Sequence, residues 1–178
     1  KYLQMGEGAA FLRVPPGARL RPVITGWFAE FADLAGTATD GTVAYGAGAD
    51  AFAGATYDPT PHYRAAAVLD FFDEQGMSPQ ALRGLSRAQI ARLAEGFDAL
   101  DLDPALVRRD RTTSLERIGG FLALESPRAS DLHAALLDRG VLTDFRDTVL
   151  RLGPAPYVTD AQLDTALAAL GEACRTLS

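Results

Sequence analysis

Lys1 stands beside an aromatic residue and ahead of a glycine-rich turn, in the string Lys1-Tyr2-Leu3-Gln4-Met5-Gly6-Glu7-Gly8. A lysine amine that is desolvated and deprotonated can form a Schiff base. Nearby glycines let backbone come close to a phosphate or a planar ring, because no Cβ intervenes. Taken alone, Lys1 reads first as a solvated terminal lysine. The other chemistry-bearing side chains make no cluster. His62 follows Pro61 and reads as an exposed residue of a first helical turn, while His133 sits in a helical pattern with no paired ligand. A zinc site needs grouped His and Cys ligands, so no metal is expected. The single cysteine, Cys174, allows no disulfide within the chain. It shares a helical pattern with Leu167 and Leu170, which gives it a packing role. Arg108, Arg109 and Arg111 are the one tight basic group, and they read as a solvated loop.

The balance of charge narrows the partners. The chain has 178 residues with 17 basic and 23 acidic side chains, a formal charge of −6. Gripping nucleic acid takes clustered Lys and Arg on one face, so nucleic acid is not an expected partner. No run approaches the roughly 18 apolar residues of a membrane span. No signal peptide is recognisable, which makes the cytoplasm the expected compartment. The start at a lysine, with neither helix cap nor targeting character, is expected of a piece cut from a longer chain.

Local signals outline the elements that must position these residues. Residues 9–14 form a short β-prone run that Pro15, Pro16 and Gly17 end. Phe28, Phe31 and Leu34 have the spacing of a short helix. Residues 36–60 are rich in Gly, Ala, Thr and Asp, and the aromatics Tyr45, Phe52 and Tyr57 argue that this irregular stretch is ordered. Thr60 before Pro61 reads as an N-cap, opening a helix that runs to about Gln75 and stops at Gly76. Ser78-Pro79 repeats the signal, and Ser86 with Gln89 reads as a capping box for a helix striped by Ile90, Leu93, Phe97 and Leu100. Farther on, strands are expected at 121–124, 141–144 and 148–152. A helix is expected over 130–139 with Gly140 as its stop, and Thr159 with Gln162 caps a last helix. The order β-α-β-β-α predicts a small sheet with helices packed on one side.

Six motifs in order carry a resemblance. Lys1-Tyr2-Leu3 precedes a glycine-rich turn and a short apolar run to Val14, and Gly26-Trp27 follows. Next come Phe52-Ala53-Gly54-Ala55-Thr56 and Asp70-Phe71-Phe72-Asp73-Glu74-Gln75-Gly76-Met77. Gly140-Val141-Leu142-Thr143-Asp144-Phe145-Arg146 and Leu150-Arg151-Leu152-Gly153-Pro154-Ala155-Pro156-Tyr157 complete the series. This series resembles the C-terminal part of fold-type I pyridoxal-phosphate enzymes, in the class V aminotransferase and kynureninase branch. The fold so implied is α/β: residues 1–60 as the end of the large cofactor-binding domain, 61–118 as connecting helices, and 119–178 as a small C-terminal α+β domain.

The resemblance also implies roles. Lys1 would form the Schiff base with pyridoxal 5'-phosphate and then move protons at the substrate α-carbon. Trp27 and Thr56 would sit near the cofactor phosphate, across a subunit interface of a homodimer. Arg151 would grip the α-carboxylate of an amino-acid substrate, a task suited to a planar guanidinium fork. Its other reading is a strand arginine that reaches solvent or a structural acid. For Arg146 a structural ion pair is the leading reading, and Tyr2 is either a cofactor contact or a core residue. The chain departs from kynureninases at Gln4-Met5-Gly6-Glu7-Gly8 and at Val158-Thr159 after Tyr157. The aspartate for the pyridine nitrogen and the ring-stacking aromatic are expected upstream, so a full site needs the missing N-terminal part. Transamination and kynureninase-type β,γ-hydrolysis share their early steps. The rival from another class is a non-catalytic α/β interaction or dimerisation module that has lost the chemistry.

Overall fold

A computed structural model describes residues 3–33, 36, 41 and 44–177, with residues 32 and 33 as backbone only. Its internal contacts divide the chain into two units, Lys1–Gln75 and Gly76–Ser178.

The first unit holds two short 3-10 helices, Trp27–Asp33 and Gly48–Phe52, and helix α1, Thr60–Glu74. Residues 9–14 are not a strand: Phe11 and Leu12 are 81% and 67% exposed, and no partner strand lies beside them among the described residues. A β-prone run becomes a strand only where its backbone groups find a ladder. Helix α1 starts as expected but is capped differently. Thr60 is its first residue, and its N–H donates to the Asp58 carboxylate at 2.9 Å. The Asp58 carboxylate thus closes the turn ahead of the helix, and the Thr60 hydroxyl contact, followed by this backbone bond, holds its carboxyl below the usual range. No residue of α1 is buried within the chain, although Tyr63, Leu69 and Phe71 line it.

The second unit is built on a four-stranded antiparallel sheet. Its strands are β1 (Arg108–Arg109), β2 (Leu122–Glu125), β3 (Asp144–Arg146) and β4 (Val149–Leu152), in the spatial order β1-β2-β4-β3. Its helices are α2 (Pro79–Ala99), α3 (Ala129–Leu137) and α4 (Asp160–Leu177). The expected β-α-β-β-α order is therefore present as β2-α3-β3-β4-α4, with β1 added at the sheet edge and the middle strand at 144–146 rather than 141–144. Leu122 pairs with Leu152 and Leu124 with Leu150, and all four point into the core with Ile90, Leu93, Leu132 and Leu170. Fully burying such a side chain stabilises by about 1.5–3 kcal/mol.

Three helix ends follow the sequence and one expected cap does not. Ser78 caps α2 by accepting from the Ala81 N–H, and Thr159 and Gln162 bond reciprocally before α4. After α3, Gly140 has φ +76° and donates to Leu137 O while Val141 donates to Leu136 O. This paired closure satisfies the last carbonyls of a helix. Ser86 and Gln89 are no capping box, because α2 runs unbroken from Pro79. Gln89 is buried instead, and its amide donates to Ala155 O and Val158 O at 3.1 Å each. The arginine group is no solvated loop either. Arg109 and Arg111 both pair with Asp98 at the end of α2, and Arg108 pairs with Glu125 across the β1–β2 ladder. The close Arg109 hydrogen bond is the main force holding the Asp98 carboxyl below its ordinary range. Cys174 packs in the core, and burial pushes its thiol up to about 11.

Candidate functional site

In the first unit, glycines bring two expected cofactor segments together. Phe28 N–H donates to Gly54 O at 3.0 Å, and Thr25 Oγ1 donates to Ala53 O at 2.9 Å. Gly26 makes this approach possible: a Cβ there would lie 2.4 Å from Gly54 O. The two segments thus run backbone against backbone, as no residue with a side chain at position 26 would permit. Trp27 heads its 3-10 helix, half exposed, with its ring edge-on to Phe28 at 4.3 Å. Thr56 follows on the other segment and is exposed. Trp27 and Thr56 thus stand, half exposed and exposed, on segments tied together through their backbones.

Lys1 and Tyr2 lie outside the described residues. The turn that follows them is ordered against α1. Gln4, Gly6 and Gly8 all have positive φ, Met5 is buried, and Arg64 Nη2 donates to Glu7 O at 2.6 Å. A Cβ at Gly6 would come within 2.9 Å of the Arg64 guanidinium carbon, the movable end of a flexible side chain, so it is the φ of +79° that favours glycine there.

In the second unit the helices and core occupy one face of the sheet, and the other face carries the polar row. Arg151 on β4 pairs in register with Ala123 on one side and Asp144 on the other. Because strand side chains alternate, Arg151 points away from the face that buries Leu150 and Leu152. Its Nη1 donates to Asp144 Oδ2 at 3.3 Å, and its guanidinium carbon lies 5.2 Å from the centre of the Phe121 ring. Its Nε is buried and finds no acceptor among the described residues. The side chain is 29% exposed, which leaves part of the fork open. Arg146 is exposed on β3 with no ion pair among the described residues. His133 Nδ1 lies 2.8 Å from Thr143 Oγ1, with its ring 5.2 Å from that of Phe145, a packed position rather than a ligand's.

A hollow of about 380 Å³ lies on the core side, lined by Leu93, Val141, Leu152, Pro154, Leu163 and Ala166 among others. It is separate from the face that presents Arg151. Asp144 and Phe121 were not singled out by sequence reasoning. Asp144 stood in the Gly-Val-x-x-Asp-x-Arg string, but only the strand register sets it opposite Arg151. Among the described residues no cluster of three metal-ligating side chains exists, and no helix is long and apolar enough to cross a membrane.

Comparison with known proteins bears on this geometry. Residues 87–170 match the family described as the kynureninase C-terminal domain. No curated relative matches in sequence. Among solved structures, a NifS-like protein is similar over 88% of this chain and 40% of its own, at 16% identity and a TM-score of 0.56. An adenosylmethionine-8-amino-7-oxononanoate aminotransferase from Methanocaldococcus jannaschii is similar over 70% of this chain and 30% of its own, at 17% identity and a TM-score of 0.52. A lysine aminotransferase from M. tuberculosis is similar over 67% of this chain and 26% of its own, at 25% identity and a TM-score of 0.50. The chain thus spans well under half the length of these structures. The fold is that of the C-terminal part of a fold-type I pyridoxal-phosphate enzyme, as the motifs implied.

Proposed function

From the kynureninase-type C-terminal domain of residues 87–170, we propose that the full-length protein is a pyridoxal-phosphate enzyme acting on an α-amino acid. The observation that carries this reading is Arg151, presented on the uncovered face of the sheet within the matched domain. When bound, the cofactor supplies an electron sink for the substrate α-carbon. Lys1 holds the cofactor through its amine and moves the proton at that carbon. Trp27 and Thr56 donate to the phosphate, and Arg151 binds the substrate carboxylate. The family match favours kynureninase-type β,γ-hydrolysis as the specific outcome, with class V transamination as the broader reading.

The same proposal covers the assembly. Residues 1–60 complete a large domain, 61–118 connect, and 119–178 form the small domain of a cytoplasmic homodimer whose sites are shared between subunits. The apolar side chains Tyr63, Leu69 and Phe71 on α1 support a larger assembly, because they lack cover within this chain.

The decisive measurement is the visible absorbance of the intact protein. A cofactor band that is lost in Lys1→Ala, with a borohydride-trapped adduct mapping to Lys1, is the expected result. An intact protein with neither band nor adduct overturns the proposal.

A further inference from the structure

We infer that Asp144 is the positioning residue that aims Arg151 at the substrate carboxylate. This rests on the reading of Arg151 given above. Arg151 reaches the polar face through a long, flexible stem, and a guanidinium binds a carboxylate well only when its plane is held. An arginine fork has donors at Nε and both terminal nitrogens. Here Nε is shut away without an acceptor, so it cannot fix the plane. The single polar anchor among the described residues is Asp144 Oδ2 at Nη1. The Phe121 ring supports the guanidinium at 5.2 Å but leaves it free to turn about the ring normal. Asp144 removes that freedom. The register pairing of Asp144 with Arg151 fixes where the carboxylate stands.

The pair is poorly suited to a stabilising role. Asp144 is 64% exposed, the contact is single and 3.3 Å long, and pairs of this kind contribute little to folding. Its consequence is orientation. Two effects of the Asp144 charge compete: it anchors the guanidinium, and it repels an incoming carboxylate. The anchor dominates because the ligand needs a defined direction of approach, and no other polar partner of Arg151 stands among the described residues.

The test uses the full-length holoenzyme and calorimetric titration with L-alanine and L-kynurenine, each beside its α-carboxamide. Wild type is expected to prefer the acid. Asp144→Ala should lose about tenfold in affinity for the acid, the scale of one charge-assisted bond, and nothing for the amide. Asp144→Asn should retain most of the preference, because its amide oxygen still accepts from Nη1. The thermal midpoint should not move in either variant. Equal or tighter acid binding by Asp144→Ala overturns the inference. So do equal losses in the Ala and Asn variants, which would mean a bare charge effect, and parallel losses of acid, amide and midpoint, which would mean a structural role. Arg151→Ala separates the two levels. If it keeps the acid preference, or if wild type has none, the reading of Arg151 itself falls. If it abolishes the preference while Asp144→Ala does not, only the role of Asp144 falls.

Discussion

At the scale of single residues, the site turns on whether Arg151 touches substrate. On the proposed reading, removing it would leave a substrate carboxylate without its charge-assisted partner, so Arg151→Ala in the full-length protein should weaken amino-acid binding by about 2–4 kcal/mol. Steady-state kinetics with the natural amino acid reads this as a rise in KM, and an unchanged KM removes Arg151 from the site. The sequence singled out Arg151 as a candidate because its proline-rich neighbourhood, Gly153-Pro154-Ala155-Pro156, is distinctive in itself. Asp144 and Phe121 were not legible, since their relation to Arg151 depends on strand register and on which face each side chain takes. Cys174 was read correctly as a packing residue from its place on one face with Leu167 and Leu170. Gln89 shows the opposite case: Ser86 and Gln89 have the spacing of a cap, and only tertiary structure reveals Gln89 as a buried tie.

At the scale of elements, two of the side chains that join α2 to the rest of its unit make testable joins. Gln89 fastens the helix to the loop between β4 and α4 through Ala155 O and Val158 O. Gln89→Ala leaves these carbonyls without their donor, an expected loss of about 1–3 kcal/mol in urea unfolding. A loss within error would show that other donors replace the amide. Asp98 fastens the other end of α2 to β1 through Arg109 and to the bend after β1 through Arg111. Its carboxyl is held below the ordinary value of about 3.9 when folded, so its contribution is complete above that pH and fades as pH falls toward the folded value. The urea midpoint of wild type should therefore drop more steeply on acidification below about pH 4 than that of Asp98→Asn. Parallel curves would remove the ion pair from the stability of this join. The strand β1 and these bonds escaped the sequence because two residues give no period, and because a run of arginines looks alike whether solvated or paired.

At the scale of the molecule, the two units differ in how much they bury within this chain. The unit Gly76–Ser178 carries the whole core cluster, with Leu124, Leu132, Leu136, Leu150 and Leu170 at 0% exposure. Its small sheet with helices on one side was legible, because alternation, helix stops and caps all pointed to the same arrangement. The unit Lys1–Gln75 leaves Phe11, Leu12, Val23 and Ile24 exposed at 67–99% and buries nothing along α1. A β-prone run at 9–14 was misread there because its signal is local, whereas its partners are not among the described residues. Marginal stability demands enough buried apolar surface to offset the entropy of ordering the chain, and among the described residues the core cluster lies in the second unit. Residues 76–178 expressed alone should therefore show native-like circular dichroism and a cooperative thermal transition. Residues 1–75 alone should show neither, because their apolar side chains are matched to surfaces that this segment does not supply. A cooperative transition in the isolated 1–75 segment would contradict that difference. It would also weaken the case that its exposed apolar residues belong to a larger domain or a second subunit. Failure of the 76–178 segment to fold would mean that the core identified here is insufficient by itself.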